Sequence, residues 1–145
     1  MNCPKCSSQL RNEKYKGMNV DKCGDCHGTW LDFNELDQLE DTVLKDDNLK
    51  GTMVTRPHES SIQCPKCQGA MQQFRYRYNE LFLDVCAINH GFWFDKGEEK
   101  QVVELMERRI KKLNRSSKAE QEWSKFLSAR GTRSIFDKIK NIFRR

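Results

Sequence analysis

Apolar and polar positions along the chain fall into two short-period blocks followed by a long helical stretch. Gln73-Phe74-Arg75-Tyr76-Arg77-Tyr78 alternates polar and aromatic, Asn79-Glu80 offers a turn, and residues 81–85 return as a second strand, which predicts a β-hairpin. A shorter hairpin is predicted ahead of it, turning near Lys16-Gly17. Trp30 and Trp93 are each followed by Asp-x-x-Glu, Asp32 to Glu35 and Asp95 to Glu98, the pattern of an N-cap with an acid in the first helical turn. One helix is expected over about 34–44, with Leu36, Leu39 and Val43 on one face, and another over about 98–113, with Val102, Met106, Ile110 and Leu113. Asn114 to Ser117 predicts a break, and residues 119–129 a short helix with Trp123, Phe126 and Leu127 on one side, ended by Gly131. A last amphipathic segment, residues 134–145, sets Ile135, Phe136, Ile139, Ile142 and Phe143 against Arg133, Lys138, Lys140, Arg144 and Arg145. Residues 45–63 are polar, hold Gly51 and Pro57, keep no period and read as a linker.

The two short-period blocks are copies of one another. Residues 1–39 and 62–102 both begin with Cys-Pro-Lys-Cys and reach an apolar residue, Leu10 or Met71, four positions after the second Cys. They run on through Val20-Asp21-Lys22-Cys23 or Leu83-Asp84-Val85-Cys86, then His27-Gly28-Thr29-Trp30-Leu31-Asp32 or His90-Gly91-Phe92-Trp93-Phe94-Asp95. The offset grows from 61 to 63 residues across the middle hairpin, the place where a two-residue insertion is tolerated.

At 37% hydrophobic and 32% charged, the 145 residues hold little apolar material for a core of that size. Seven cysteines can supply the missing cohesion. Their odd count and the lack of a secretory signal before Cys3 speak against disulfides and for reduced thiols in the cytoplasm. Zinc is held tetrahedrally by thiolate and imidazole, and a C-x-x-C turn delivers two sulfurs at once. Cys3, Cys6, Cys23 and Cys26 complete one such shell. In the second copy Asn89 stands where Cys26 would repeat, and His90, one residue on, is the candidate fourth ligand beside Cys64, Cys67 and Cys86. Against this, His90 repeats a His27 that the first site does not need, which would leave the second site three-coordinate. A thioredoxin-like dithiol wants a single C-x-x-C, and a rubredoxin-like iron centre seldom takes histidine, so two zinc ions per chain are expected. No general base stands beside the second site in sequence, so the expectation is no enzyme and no small-molecule substrate. Trp30 and Trp93 read as core packing each strand onto the helix after it, and Gly28 and Gly91 as residues of positive φ after the metal turn. Phe74, Tyr76 and Tyr78, interleaved with Arg75 and Arg77, suit either base stacking or, favoured by the alternation, the core.

Charge divides the chain. Residues 1–105 hold 13 Lys and Arg against 17 Asp and Glu, whereas residues 106–145 hold 13 against 4. Nucleic-acid contact is therefore expected chiefly from the basic tail. No apolar run reaches the roughly 18 residues of a membrane span, although residues 134–145 suit peripheral membrane contact or a protein partner's groove.

Cys-Pro-x-Cys, then Val-Asp-x-Cys-x-x-Cys-x-Gly-x-Trp-Leu-Asp-x-x-Glu-Leu, as it stands from Cys3 to Leu36, resembles the bacterial zinc ribbons named for the transcription factor IIB zinc finger. The second copy, residues 64–99, looks like a divergent member, departing at Asn89 and at Glu99, where the first copy has Leu36. The resemblance implies a zinc ribbon and, by name, nucleic-acid or transcription-related binding. The expected architecture is small α+β: ribbon 1 with its helix at 1–44, a linker at 45–63, ribbon 2 with its helix at 64–113, and a basic helical tail at 114–145. The expected function is a zinc-binding, nucleic-acid- or transcription-associated module, with a zinc-stabilised protein-interaction scaffold as the alternative.

Overall fold

The structure, a computed structural model, describes residues 1–44 and 57–129. The chain divides into two compact units, Met1–Glu107 and Arg108–Arg145. In the first, each copy folds into three strands and starts a helix: β1 (Leu10–Tyr15), β2 (Met18–Cys23), β3 (Thr29–Leu31) and α1 (Phe33–Asp41), then β5 (Ala70–Arg75), β6 (Phe82–Cys86), β7 (Phe92–Phe94) and α2 (Glu98–Ala129). A further strand, β4 (His58–Gln63), precedes the second copy.

These strands form one antiparallel sheet in the order β1-β2-β3-β7-β6-β5-β4. The copies meet at its centre, where β3 pairs with β7 and Trp30 lies opposite Trp93. The packing of the two ribbons, left open by the sequence, is thus settled as a shared sheet. Side chains alternate across a strand, so Trp30 and Trp93 point to the same face as the cysteines of β2 and β6. There Cys3, Leu10, Cys23, Trp30, Ile62, Cys64, Met71, Cys86 and Trp93 make one continuous buried cluster. Leu31 and Phe92 turn to the opposite face, where Phe33 at the start of α1 packs on Phe92 at 4.6 Å between centroids. Leu36 and Leu39 of α1 and Val102 and Met106 of α2 are buried.

The tryptophans therefore do not pack each strand onto its own helix. Each fits against the glycine of the other copy. A β-carbon on Gly28 would stand 2.2 Å from Cζ2 of Trp93, and one on Gly91 would stand 2.8 Å from Cζ2 of Trp30 and 2.5 Å from the Leu31 carbonyl. Close approach, rather than backbone freedom, is what Gly28 supplies; Gly91 combines it with a positive φ of 150°.

Polar contacts cross the same seam. Lys5, inside the first Cys-Pro-Lys-Cys turn, pairs with Asp95 of the second copy at 2.5 Å. On the helix side, Tyr76 Oη and Arg77 Nη2 donate to Glu40 Oε1 of α1 at 2.7 and 2.9 Å, and the Arg77–Glu40 ion pair is almost wholly buried. Breaking such a pair strands a charge in the interior at a cost of about 3–5 kcal/mol.

Local expectations meet mixed outcomes. The Lys16-Gly17 turn and the first capping box hold: Glu35 N–H donates to Asp32 Oδ1, and Asp32 N–H to Glu35 Oε2, both at 2.8 Å. Only half of the second box forms. Asp95 N–H donates to Glu98 Oε2 at 2.8 Å, but the Asp95 carboxylate is taken by Lys5 and by Trp93 Nε1, and Gly97 precedes the helix. The second hairpin's strand ends at Arg75, and Tyr76–Tyr78 form a short turn in which Arg77 takes left-handed backbone, φ 49°. Phe74 and Tyr76 are fully buried, so base stacking by these two is ruled out. Residues 58–63 of the expected linker are the edge strand β4, whose one inward apolar side chain, Ile62, is too little to make a period. The break expected at Asn114 to Ser117 is absent, because α2 runs through it. Without Gly or Pro, Asn and Ser each cost only about 0.5 kcal/mol in a helix interior. Gly131, the segment 134–145 and residues 45–56 lie outside the described residues.

The second unit, as far as described, is the rest of α2, with Leu113, Trp123, Phe126 and Leu127 exposed.

Gly28→Ala should cost about 3 kcal/mol or more by driving a methyl into Trp93. Gly24→Ala, with nothing within 4 Å of its new methyl, serves as the control. Denaturant midpoints of the zinc-loaded proteins compare them, and equal midpoints would refute the close-packing role.

Candidate metal centres

Two turns deliver the first pair of each ligand set. In both, the Cys-Pro-Lys-Cys segment curls so that the amide of the fifth residue returns to the first Cys carbonyl, Ser7 N–H to Cys3 O at 2.9 Å and Gln68 N–H to Cys64 O at 2.8 Å. Ser7 and Gln68 take left-handed φ values of 62° and 61°. The Lys5 and Lys66 amides point at the Cys3 and Cys64 sulfurs, each at 3.4 Å, which favours the thiolate form.

The closing arms differ by one residue. In the first copy His27 N–H returns to Cys23 O at 3.1 Å, and His27 carries the left-handed φ of 60°. In the second Asn89 N–H returns to Cys86 O at 2.9 Å, and Asn89 carries it, at 63°. The tighter turn shifts the residue that faces the site from the position of Cys26 to the next one, His90. Asparagine tolerates left-handed backbone better than most residues, which accounts for Asn89 where the repeat would have cysteine.

The result is two compact groups, Cys3, Cys6, Cys23 and Cys26, and Cys64, Cys67, Cys86 and His90, with the ligand atoms of each within 4.8 Å of one another. In the first, Cys3 Sγ lies 3.5 Å from Cys26 Sγ and Cys6 Sγ 3.4 Å from Cys23 Sγ. In the second, Cys67 and Cys86 sulfurs are 3.8 Å apart, and His90 presents Nδ1 to Cys64 and Cys86 at 3.8 and 3.6 Å. Four sulfurs about 2.3 Å from one zinc stand about 3.8 Å apart, so both groups have the dimensions of a tetrahedral shell. His27 lies outside the first group. The donor chemistry fits as well: burial pushes the Cys3 and Cys64 thiols up, hydrogen bonds to Ser8 pull Cys6 down to about 6, and a bound divalent cation would favour the thiolate form of each. Each group gathers four protein donors, the number that structural rather than catalytic zinc sites use.

Residues 2–42 match the transcription factor zinc-finger family. The match covers ribbon 1 and α1, and the second group, at 64–90, is consistent with a divergent second copy of the same ribbon. Zinc ribbons of this family are typically non-enzymatic. No curated protein and no solved structure matches the chain. Two ribbons thus provide for two zinc ions, and among the described residues no helix is long and apolar enough to cross a membrane.

His90→Ala should lower zinc from about two to about one per chain, as measured by elemental analysis of the purified protein. Two zinc ions retained in that variant would remove His90 from the shell.

Proposed function

We propose that the chain is a double zinc ribbon that works by binding, as a nucleic-acid- or transcription-associated module of the cytoplasm. Zinc held by the eight residues of the two groups supplies folding energy rather than chemistry. The observation that carries the nucleic-acid reading is the basic stretch of α2, where Arg109, Lys111, Lys112, Arg115 and Lys118 are all exposed along one continuous helix. Phosphates attract such a helix, whereas residues 1–105 are net acidic. A second reading rests on its own feature: Trp123 and Phe126 stack at 5.6 Å on exposed helix surface, beside Leu127, and aromatic side chains so placed suit a protein partner. The ribbons would then be a scaffold, with residues 134–145 docking on that partner or a membrane surface.

Fluorescence anisotropy of a labelled single-stranded oligonucleotide against salt separates the two. Changing Arg109, Lys111, Lys112, Arg115 and Lys118 to Gln in the full chain should weaken binding at least tenfold and flatten the salt slope by about 0.7 for each phosphate left without its cation. Unchanged affinity and slope would contradict binding through the helix.

A further inference from the structure

The two copies differ most where an apolar plug in one becomes a polar cleft in the other. On the helix side of the sheet, the second copy holds Val85 and Phe92, and α1 adds Phe33 and Leu36; Val85, Phe92 and Leu36 are buried and Phe33 packs on Phe92. The equivalent positions, 63 residues away in the repeat, are Lys22, Thr29, Lys96 and Glu99. All four apolar residues have given way to polar ones. Lys22, Lys96 and Glu99, with Tyr15, His27 and Lys100, line a cleft of about 520 Å³, within the range of small-molecule sites.

Glu99 gives the cleft its meaning. Only 5% exposed, it has taken the place of a buried leucine, and its Oε2 has no hydrogen-bond partner. A buried, unsatisfied carboxylate oxygen costs stability, and such a cost is tolerated where the group serves a ligand. The missing partner is a donor. Around it stand the aromatic ring of Tyr15, the imidazole of His27 and three lysines. Tyr15 and Glu99 line the same cleft, and burial and the charge of Glu99 both raise the Tyr15 pKa.

We propose that this cleft binds a nucleotide, with an N–H of the base donating to Glu99, the base lying against Tyr15 or His27, and the phosphate held by Lys22, Lys96 and Lys100. Each part answers one chemical feature of the cleft: a donor for the orphaned acceptor, a flat ring for the aromatic wall, an anion for the lysines. Phosphate alone would leave Glu99 unsatisfied and next to another negative charge. The nucleotide is either free or one unit of a strand. A nucleotide within a strand would deepen the nucleic-acid reading and give an otherwise acidic ribbon its own point of contact.

The test titrates the full-length, zinc-loaded protein with AMP, CMP, GMP and UMP, with inorganic phosphate, and with a short single-stranded oligonucleotide, following the amide resonances of Tyr15, His27, Gly97 and Glu99 by NMR. At least one mononucleotide should bind at these residues ten times more tightly than phosphate. Glu99→Leu, which restores the residue of the first copy, should fold, melt at a higher temperature and lose at least tenfold in nucleotide affinity. The surface pair Lys96→Glu and Lys100→Glu should lose a similar factor without a change in melting. The α2 glutamine variant should bind mononucleotide as the wild type does, so weaker oligonucleotide binding there bears on the helix alone. Binding of a mononucleotide with no binding of the oligonucleotide supports the cleft and assigns it a free nucleotide. No shift at the cleft with any mononucleotide, phosphate binding as tightly, or full affinity in Glu99→Leu would overturn the proposal.

Discussion

The seam between β3 and β7 is the contact on which the rest of this fold depends. Three-residue strands are too short to hold two ribbons together by backbone hydrogen bonds alone. The reciprocal fit of Trp30 against Gly91 and Trp93 against Gly28 supplies the packing, and it lies in the same buried cluster as Cys3, Cys23, Cys64 and Cys86, with Cys26 and Cys67 at its edge. Metal shell and tryptophan core are therefore one structure. The Lys5–Asp95 pair and the Glu40–Arg77–Tyr76 network fasten the same junction on its two faces. A chain with too little apolar material for an ordinary core meets the shortfall by letting two metal sites share one pair of tryptophans.

Much of this was legible because it is local. The eight candidate ligands, the first hairpin and the first capping box follow from spacings shorter than one ribbon, and the structure gathers the eight residues into two groups. The seam was not legible, since nothing in Thr29-Trp30-Leu31 names Phe92-Trp93-Phe94 as its partner. The paired glycines carried the signal, but they read as turn residues until the opposite indole is in view. Strand β4 escaped because an edge strand with one inward apolar residue leaves no period, and α2 ran on because Asn and Ser weaken a helix without ending it.

Duplication also exposes what each copy has changed. Asn89 moved the left-handed residue of the closing turn back by one and the donor that joins the three cysteines forward by one, which keeps four donor side chains together with an imidazole in place of a thiol. Glu99 stood out in sequence only as a mismatch with Leu36. Its burial, its orphaned oxygen and the lysines around it turn that mismatch into a site. Departures from an internal repeat are in this way a guide to specialisation that needs no second sequence.

Removing zinc shows most directly whether metal and tryptophan core form one cooperative unit. A chelator titration of the full-length protein, followed by near-ultraviolet circular dichroism and by released zinc, should show the signal of the buried tryptophans collapsing as the metal leaves, and returning when zinc is restored. A metal-free protein that keeps its near-ultraviolet spectrum would prove the core independent of the metal and contradict that cooperativity.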